Sequence, residues 1–243
     1  MSKLRPSGGY RTTASFQTAT IIYDATYWFC EKFLDPRSRT VDQMVQAARS
    51  GRQNIAEGSR ASATSSQTEL RLLNVARSSL DELLLDYEDF LRHRRLSQWP
   101  AEGPEAKEVR EVPRVFRNRT DPTDRSDLKS LSDHERFGLY ARWLEHDDPA
   151  ERANALICLI HQANYLLDQQ IEALEKEFVE GGGYTERLAT ARLAHRKGGE
   201  AAPPACPACG GLMVLRTPKT GPSTGQSFWG CARYPECKGT AKV

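Results

Sequence analysis

Four cysteines near the carboxyl terminus constrain the fold of this 243-residue chain more than any other feature of its sequence. They form two close pairs separated by 21 residues, Cys206-x2-Cys209 and Cys231-x5-Cys237. Two such pairs place four thiolates where one tetrahedral metal ion can hold them, and Gly210-Gly211 lets the backbone turn after the first pair. A segment of about forty residues buries too little apolar surface to fold alone, so metal binding supplies the missing free energy. The pattern predicts one structural Zn²⁺; free thiols, disulfides and an iron–sulfur cluster are the alternatives.

The composition indicates a reducing, cytoplasmic setting for these thiols. Hydrophobic residues make up 39% of the chain and charged residues 27%, as in an ordinary globular protein. The longest apolar run, Ala155–Ile160, is far shorter than the ~20 residues that cross a bilayer, and the N-terminus shows no signal peptide. We expect no membrane contact and a cytoplasmic location. Association with the nucleoid is compatible with that location. Cys30 and Cys158 lie on apolar helix faces and are interpreted as core residues.

Four long segments show helical periodicity. They span about 15–34, 40–58, 66–95 and 149–180, with Thr40 and the run Ser66-Gln67-Thr68-Glu69 predicted to cap the second and third helices. The fourth helix follows Pro149, and its apolar residues recur at three- and four-residue steps, as in a helix that lies along others in a bundle. The predicted fold class is mainly α, a four-helix bundle followed by a small four-cysteine zinc ribbon of short β-hairpins.

The composition also divides the chain into segments. The bundle is assigned to residues 1–97 and 149–183. Between these parts, residues 98–148 form an insertion rich in proline and charge up to about Ser130; we predict a long surface loop, ordered or disordered, with one short helix near 132–145. Residues 184–204 are assigned to a short helix and a linker, and residues 205–243 to the ribbon.

The sequence around the cysteines carries a family resemblance. It reads Cys-Pro-Ala-Cys-Gly-Gly-Leu-Met-Val-Leu-Arg over 206–216 and Gln-Ser-Phe-Trp-Gly-Cys-Ala-Arg-Tyr-Pro-Glu-Cys over 226–237. This segment resembles the C-terminal zinc ribbons of bacterial type IA DNA topoisomerases, and the resemblance implies binding of single-stranded DNA. The catalytic body of those enzymes has no counterpart here, since the chain contains no Asp-x-Asp metal site.

The residue types in the ribbon fit such a role. Aromatic rings stack on bases at about 1–3 kcal/mol each, and cationic side chains contact phosphates. Residues 197–243 carry a net charge of +4. The alternative is that Phe228 and Tyr234 only pack the small ribbon core. The predicted contacts are Phe228, Trp229 and Tyr234 for bases, and Arg216, Lys219, Arg233, Lys238 and Lys242 for phosphates.

A second resemblance lies in the second and third helices. The run Met-Val-Gln-Ala-Ala-Arg-Ser-Gly-Arg-Gln-Asn-Ile-Ala-Glu-Gly-Ser over 44–59, with Glu69-Leu-Arg71 and Val75–Leu83, resembles the four-helix-bundle proteins encoded in intervening sequences of bacterial 23S ribosomal RNA. That family includes the accessory variability determinant of diversity-generating retroelements, a homopentamer that partners a reverse transcriptase and its template RNA. The resemblance implies a homo-oligomer, a homopentamer by analogy. The alternative reading of the run is structural, with Gly58 ending a helix and small residues permitting close packing.

Arginine outnumbers lysine on these two helices. Guanidinium groups suit bidentate phosphate contacts, and a solvated charged face is the alternative explanation. The candidate nucleic-acid contacts are Arg49, Arg52, Arg60, Arg71, Arg77, Arg92, Arg94 and Arg95.

No arrangement typical of an enzyme is evident in the sequence. The one cluster that could bind a catalytic metal, Glu145-His146-Asp147-Asp148, precedes Pro149 and more simply favours the N-terminal dipole of the fourth helix. We therefore expect a non-enzymatic adaptor that binds single-stranded DNA or RNA as an accessory factor to a reverse transcriptase or another nucleic-acid-processing enzyme. The alternative is a protein-interaction scaffold in which bundle and ribbon dock a protein partner.

Overall fold

The computed structural model describes residues 8–63, 65–119, 128, 130–181, 204–217 and 227–242. Seven α-helices and three β-strands lie in these ranges. The chain divides into two compact units, residues 1–187 and 188–243. The Lys219 side chain and the predicted short helix within 184–204 fall outside the described residues.

The first unit is built on four long helices, as predicted. They are α1 (Ala14–Phe33), α2 (Arg39–Ala61), α3 (Ser66–His93) and α7 (Pro149–Gly181). Helices α1 and α3 each pack against both α2 and α7, which closes a four-helix bundle. This confirms the mainly α fold class with a bundle as its body.

The N-caps of two helices differ from those expected. Ser38, not Thr40, caps α2 by accepting a hydrogen bond from the backbone N–H of Thr40. Ser65, not Ser66, caps α3 by accepting one from Thr68, and this leaves Ser66 as a buried first-turn residue. A capping box does occur in the chain, at Ser132 and Glu135.

The core of the bundle combines close backbone approach with aromatic packing. A Cβ on Gly51 of α2 would lie 2.9 Å from Cγ of Leu80 on α3, so a larger residue here would force Leu80 or one of the two helices to shift. The Phe29 ring packs edge-on against Tyr87, with centroids 5.1 Å apart. The buried Tyr87 hydroxyl donates to Oγ1 of Thr26 at 3.0 Å, so its polar atom is satisfied.

The insertion between α3 and α7 is more helical than predicted. Helix α4 (Pro104–Arg119) occupies much of the segment that we expected to be a loop, and the loop prediction is wrong there. Ala106, Val109 and Val112 form a short apolar stripe, and α4 packs on α7. The predicted short helix is observed as two pieces, α5 (Asp133–Gly138) and α6 (Ala141–Leu144).

Asn154 of α7 fixes the chain where the insertion begins. Its side chain accepts a hydrogen bond from the Trp99 N–H at 2.8 Å and donates one to the Ser97 carbonyl at 3.0 Å. The side chain is almost completely buried. Its amide therefore satisfies two backbone groups of the loop after α3 and holds this loop against the bundle.

The second unit is a small antiparallel sheet. Its strands are β1 (Met213–Arg216), β2 (Phe228–Cys231) and β3 (Thr240–Lys242), with β2 in the centre. Met213 pairs with Cys231, and Arg216 pairs with Phe228. Among the residues of this unit that the structure describes, Cys206, Met213 and Cys231 form the buried core, which is too small to stabilise a fold without metal.

Among the described residues, no helix is both long enough and apolar enough to cross a bilayer.

Candidate metal centre and nucleic-acid interface

The ribbon brings the four predicted ligands together. The sulfur atoms of Cys206, Cys209, Cys231 and Cys237 all lie within 4.8 Å of one another. The Cys206–Cys237 and Cys209–Cys231 sulfur pairs are 3.7 and 3.6 Å apart. Zinc–sulfur bonds of about 2.3 Å in a tetrahedron require an edge of ~3.8 Å, so these side chains fit one Zn²⁺ with four thiolates. With all four positions taken by protein, the metal is structural.

Short backbone hydrogen bonds hold the first pair of ligands. The N–H of Cys206 donates to the Gly211 carbonyl, and the N–H of Gly210 donates back to the Cys206 carbonyl, both at 2.8 Å. Gly210 has a φ of +67°, a conformation that L side chains rarely adopt. The second pair begins at the end of β2, where the N–H of Arg233 donates to Sγ of Cys231 at 3.4 Å.

Electrostatics within the cluster favour a bound cation. The backbone N–H of Ala208 stabilises the Cys206 thiolate and lowers the pKa of that thiol to about 7. At Cys237 the N–H of Gly239 also favours the thiolate, but the neighbouring sulfurs, led by Cys209, raise the pKa to about 12. Four adjacent thiols do not all ionise by themselves, and a dication offsets their mutual repulsion.

Gly239 is part of the centre, although the spacing of the cysteines did not point to it. A Cβ at this position would overlap Sγ of Cys206 and lie 3.2 Å from Cβ of Ala208. The Gly239 carbonyl also accepts a hydrogen bond from the N–H of Cys231 at 3.0 Å. The residue thus allows the chain after Cys237 to pass directly against a ligand sulfur, a role that can be recognised only from the folded geometry.

The sheet has two faces of different character. Met213, Leu215, Trp229 and Cys231 alternate onto the metal side, where Trp229 packs against the small core. Arg216, Phe228 and Lys242 form one cross-strand row on the opposite side. The first face therefore serves mainly the metal centre, and the second, which we call the outer face, is available to a ligand.

The outer face is shaped by the absence of a side chain at Gly230. The Arg216 side chain lies over this glycine, with Cδ and Nε 3.1 and 3.2 Å from where a Cβ would stand, and the Phe228 ring is 3.5 Å from that point. The Arg216 guanidinium also lies 5.5 Å from the centroid of the Tyr234 ring, which is 59% exposed. Two aromatic rings and two cations, Arg216 and Lys242, are thus grouped on one surface.

The other predicted ribbon contacts lie around this surface. Arg233 and Lys238 are exposed in the segment between β2 and β3 that includes Cys237. The Arg233 Nε lies 3.9 Å from the position of a Cβ on Gly211, which places it beside the first cysteine pair. Trp229 and Phe228 are both half-buried, but Trp229 packs against the small core on the metal side, whereas Phe228 lies on the outer face.

The predicted bundle arginines do not form one surface. Arg77 pairs with Asp168 at 2.6 Å, Arg92 pairs with Asp89 at 2.5 Å, and the Arg94 guanidinium lies 4.0 Å from the centroid of the Phe90 ring. Arg92, Arg94 and Arg95 lie at the carboxyl end of α3, about 40 Å along that helix from its start near Arg60. Arg49 and Arg71 are exposed.

Two of these arginines belong to a cleft that the sequence did not reveal. Arg52 and Arg60 of α2 line a cleft of about 300 Å³ with Arg11, which precedes α1. Arg60 donates to the Tyr10 hydroxyl at 3.2 Å. Glu57 and Asp133 line the same cleft, so its charge is mixed.

The acidic cluster considered as a catalytic metal site has structural partners. Asp147 pairs with Lys32 at 2.7 Å, and this hydrogen bond lowers the pKa of its carboxyl group. The Asp148 carboxylate accepts from the N–H of Ala150 at the start of α7. Among the described residues, the four ribbon cysteines are the one group of three or more potential ligands positioned to hold a metal ion.

Comparison with known proteins identifies the ribbon. Residues 204–243 match the family model described as a topoisomerase DNA-binding C4 zinc finger. No curated protein and no solved structure matches the chain. The ribbon therefore carries a C4 zinc finger of the topoisomerase type, whose description indicates nucleic-acid binding, and the family resemblance of the bundle stays a prediction.

Proposed function

We propose that the protein is a non-enzymatic adaptor whose zinc ribbon binds single-stranded nucleic acid on its outer face. The observation that carries this proposal is the row Arg216–Phe228–Lys242, with Tyr234 beside it, on a C4 zinc finger of the topoisomerase type. The metal does not take part in binding directly; it fixes the strands that display these side chains.

The chemistry of the outer face suits an unpaired strand. Bases in a duplex have their faces covered by neighbours, whereas an unpaired base can stack on Phe228 or Tyr234. Arg216 and Lys242 stand on either side of Phe228 in the sheet register, within reach of phosphates that flank a stacked base. Stacking and phosphate contacts do not involve the hydrogen-bonding edges of the bases, so the binding should tolerate many nucleotide sequences.

In this proposal the helical bundle is the part of the protein that assembles and displays the ribbons. A homo-oligomer, expected from the resemblance of residues 44–59, would present several ribbons to one strand, and the second contact would then be intramolecular. A reverse transcriptase, or another enzyme that exposes single strands, is the proposed partner, and the same resemblance supports it.

The test is a fluorescence-anisotropy titration of zinc-loaded full-length protein with labelled oligo-dT, oligo-rU and a duplex. Phe228→Ala removes a stacking ring worth about 1–3 kcal/mol, so single-strand affinity should fall by about 5- to 150-fold. Arg216→Gln with Lys242→Gln should weaken binding and flatten its salt dependence.

The matched control is Leu215→Ala, which shortens a half-exposed side chain on the metal side of the neighbouring strand β1. It should leave the affinity within about twofold of wild type. Equal losses for Leu215→Ala and Phe228→Ala, or no single-strand binding by the wild type, would refute the proposed surface.

A further inference from the structure

A broad groove lies on the outer surface of the bundle, and its lining residues differ in charge from those of the basic ribbon. It has a volume of about 1030 Å³ and lies between the amino-terminal half of α2 and the middle of α3, with Tyr27 of α1 at its edge. Its α2 side extends from Arg39 to Ser50, about 17 Å along the helix, which equals three turns of a second helix. The groove therefore has the length of a short docked helix.

Exposed apolar side chains line this groove. Leu85 is 60% and Tyr27 51% exposed, although both lie on well-packed helices. Val41 and Val45 are half-buried beside them. Large apolar side chains grouped in one concave surface are typical of an interaction site, whereas scattered ones need no explanation.

The charged residues of the groove are mostly acidic. Asp42, Glu82 and Asp86 line it, and the cation among its lining residues is Arg39. No ion pair involves these three carboxylates in the part of the chain that the structure describes. Burial, and then the neighbouring carboxylates of Asp89 and Glu82, raise the pKa of Asp86. A cation brought into the groove would relieve this repulsion, whereas a phosphate would increase it.

We propose that this groove binds an amphipathic helix of a protein partner, with apolar side chains on one face flanked by lysine or arginine. The apolar stripe of such a helix covers Leu85, Tyr27 and the two valines, and its cations face Asp42, Glu82 and Asp86. Residues at positions i, i+3 and i+7 of a helix share one face, so three turns supply the apolar anchors. Nucleic acid is excluded from this surface by its charge, so the groove and the ribbon serve different partners.

The experiment uses full-length protein and two labelled 14-residue probe peptides. Both carry leucine at helical a and d positions; one has lysine at the remaining positions and the other has glutamate. Fluorescence anisotropy should detect binding of the lysine peptide and at least tenfold weaker binding of the glutamate peptide. Leu85→Ser and Glu82→Lys should each reduce affinity for the lysine peptide by tenfold or more. Both residues are exposed, and thermal melts should show that neither change unfolds the bundle.

Matched controls lie outside the groove. Val75→Ser changes an exposed apolar residue on the same helix, and Glu172→Lys reverses an exposed carboxylate on α7. Both should keep the affinity within about twofold of wild type. The proposal is overturned if the two peptides bind alike, or if the controls lose as much affinity as the groove variants. It is also overturned if analytical ultracentrifugation shows a wild-type oligomer that Leu85→Ser dissociates, because the occupant is then a second copy of this chain.

Discussion

Replacing Gly239 by alanine should damage the zinc site although it alters no ligand. A Cβ at this position would stand less than 3.0 Å from Sγ of Cys206, a separation that real Cβ atoms essentially never show. The sulfur cannot simply rotate away, since it is bound to the metal when zinc is present. The methyl group is also confined by Cβ of Ala208 at 3.2 Å and Sγ of Cys237 at 3.6 Å.

The size of the effect follows from these distances. An ordinary contact with carbon needs about 3.5–4.0 Å, so the sulfur or the backbone must move by at least ~0.5 Å. Metal–ligand distances tolerate changes of about 0.2 Å, so the shift exceeds what the coordination can absorb. We expect zinc affinity to fall by about 100-fold or more, the upper end of losses seen when groups that support ligands are altered.

A competition titration with a chromophoric chelator would measure this loss. Gly211→Ala is the matched control, because its Cβ would lie 3.4 Å from Sγ of Cys209 and its φ is not positive. The control should bind zinc within about fivefold of wild type. If Gly239→Ala bound zinc as tightly as Gly211→Ala, the packing argument for the metal centre would be refuted.

Three further outcomes are expected. Chelation of zinc should expose four thiols to alkylation at pH 8 with little loss of helical circular dichroism. Cys30 and Cys158 should stay unreactive, because burial raises their pKa values to about 12 and about 11 and keeps both protonated. Mass spectrometry that found six modified cysteines in folded protein would contradict this prediction. Gly51→Ala should lower the free energy of unfolding by up to about 2 kcal/mol in urea titrations, because an overpacking cost of about 1–3 kcal/mol against Leu80 is set against a gain in helix propensity of about 1 kcal/mol. A more stable variant would contradict the close-contact argument. Tyr87→Phe should cost about 1–2 kcal/mol in the same assay, since the buried Thr26 hydroxyl loses its partner, and an unchanged midpoint would count against that hydrogen bond.

The parts of the fold that periodicity could predict are those that bury a long apolar stripe. Helices α1, α2, α3 and α7 each extend over 20 residues or more, so several turns repeat the same pattern. Helix α4 has 16 residues and a proline at position 113, and its buried stripe consists of Ala106, Val109 and Val112. Three small apolar residues beside a proline do not distinguish a helix from a charged loop until the packing against α7 is known.

The metal centre was predictable because its geometry depends on local spacing. The spacing within each cysteine pair determines which sulfurs can meet, and the structure brings all four together. The role of Gly239 was not predictable, because it depends on where the chain after Cys237 crosses Cys206. Likewise, strand alternation places Phe228 and Trp229 on opposite faces, but only the folded packing shows that Trp229 is the one on the metal side.

The bundle surface shows the limit of reasoning from residue type. The arginines of α2 and α3 were candidate nucleic-acid contacts by residue type, and the structure pairs Arg77 and Arg92 with carboxylates. The acidic, partly apolar groove between the same helices was not recognised, because its residues come from three segments that sequence alone does not align. The partner of Arg92 lies three residues away on the same helix, whereas Asp168, the partner of Arg77, comes from α7 and is set by tertiary packing.

The most direct measurement of the central claim is photo-cross-linking of zinc-loaded full-length protein to a single strand containing 5-iodouracil. This base reacts with the aromatic ring on which it stacks, and mass spectrometry locates the adduct. The outer face of the ribbon predicts adducts at Phe228 or Tyr234 that disappear when zinc is removed. Adducts confined to the bundle, or ribbon adducts that persist without zinc, would contradict a zinc-organised single-strand-binding surface.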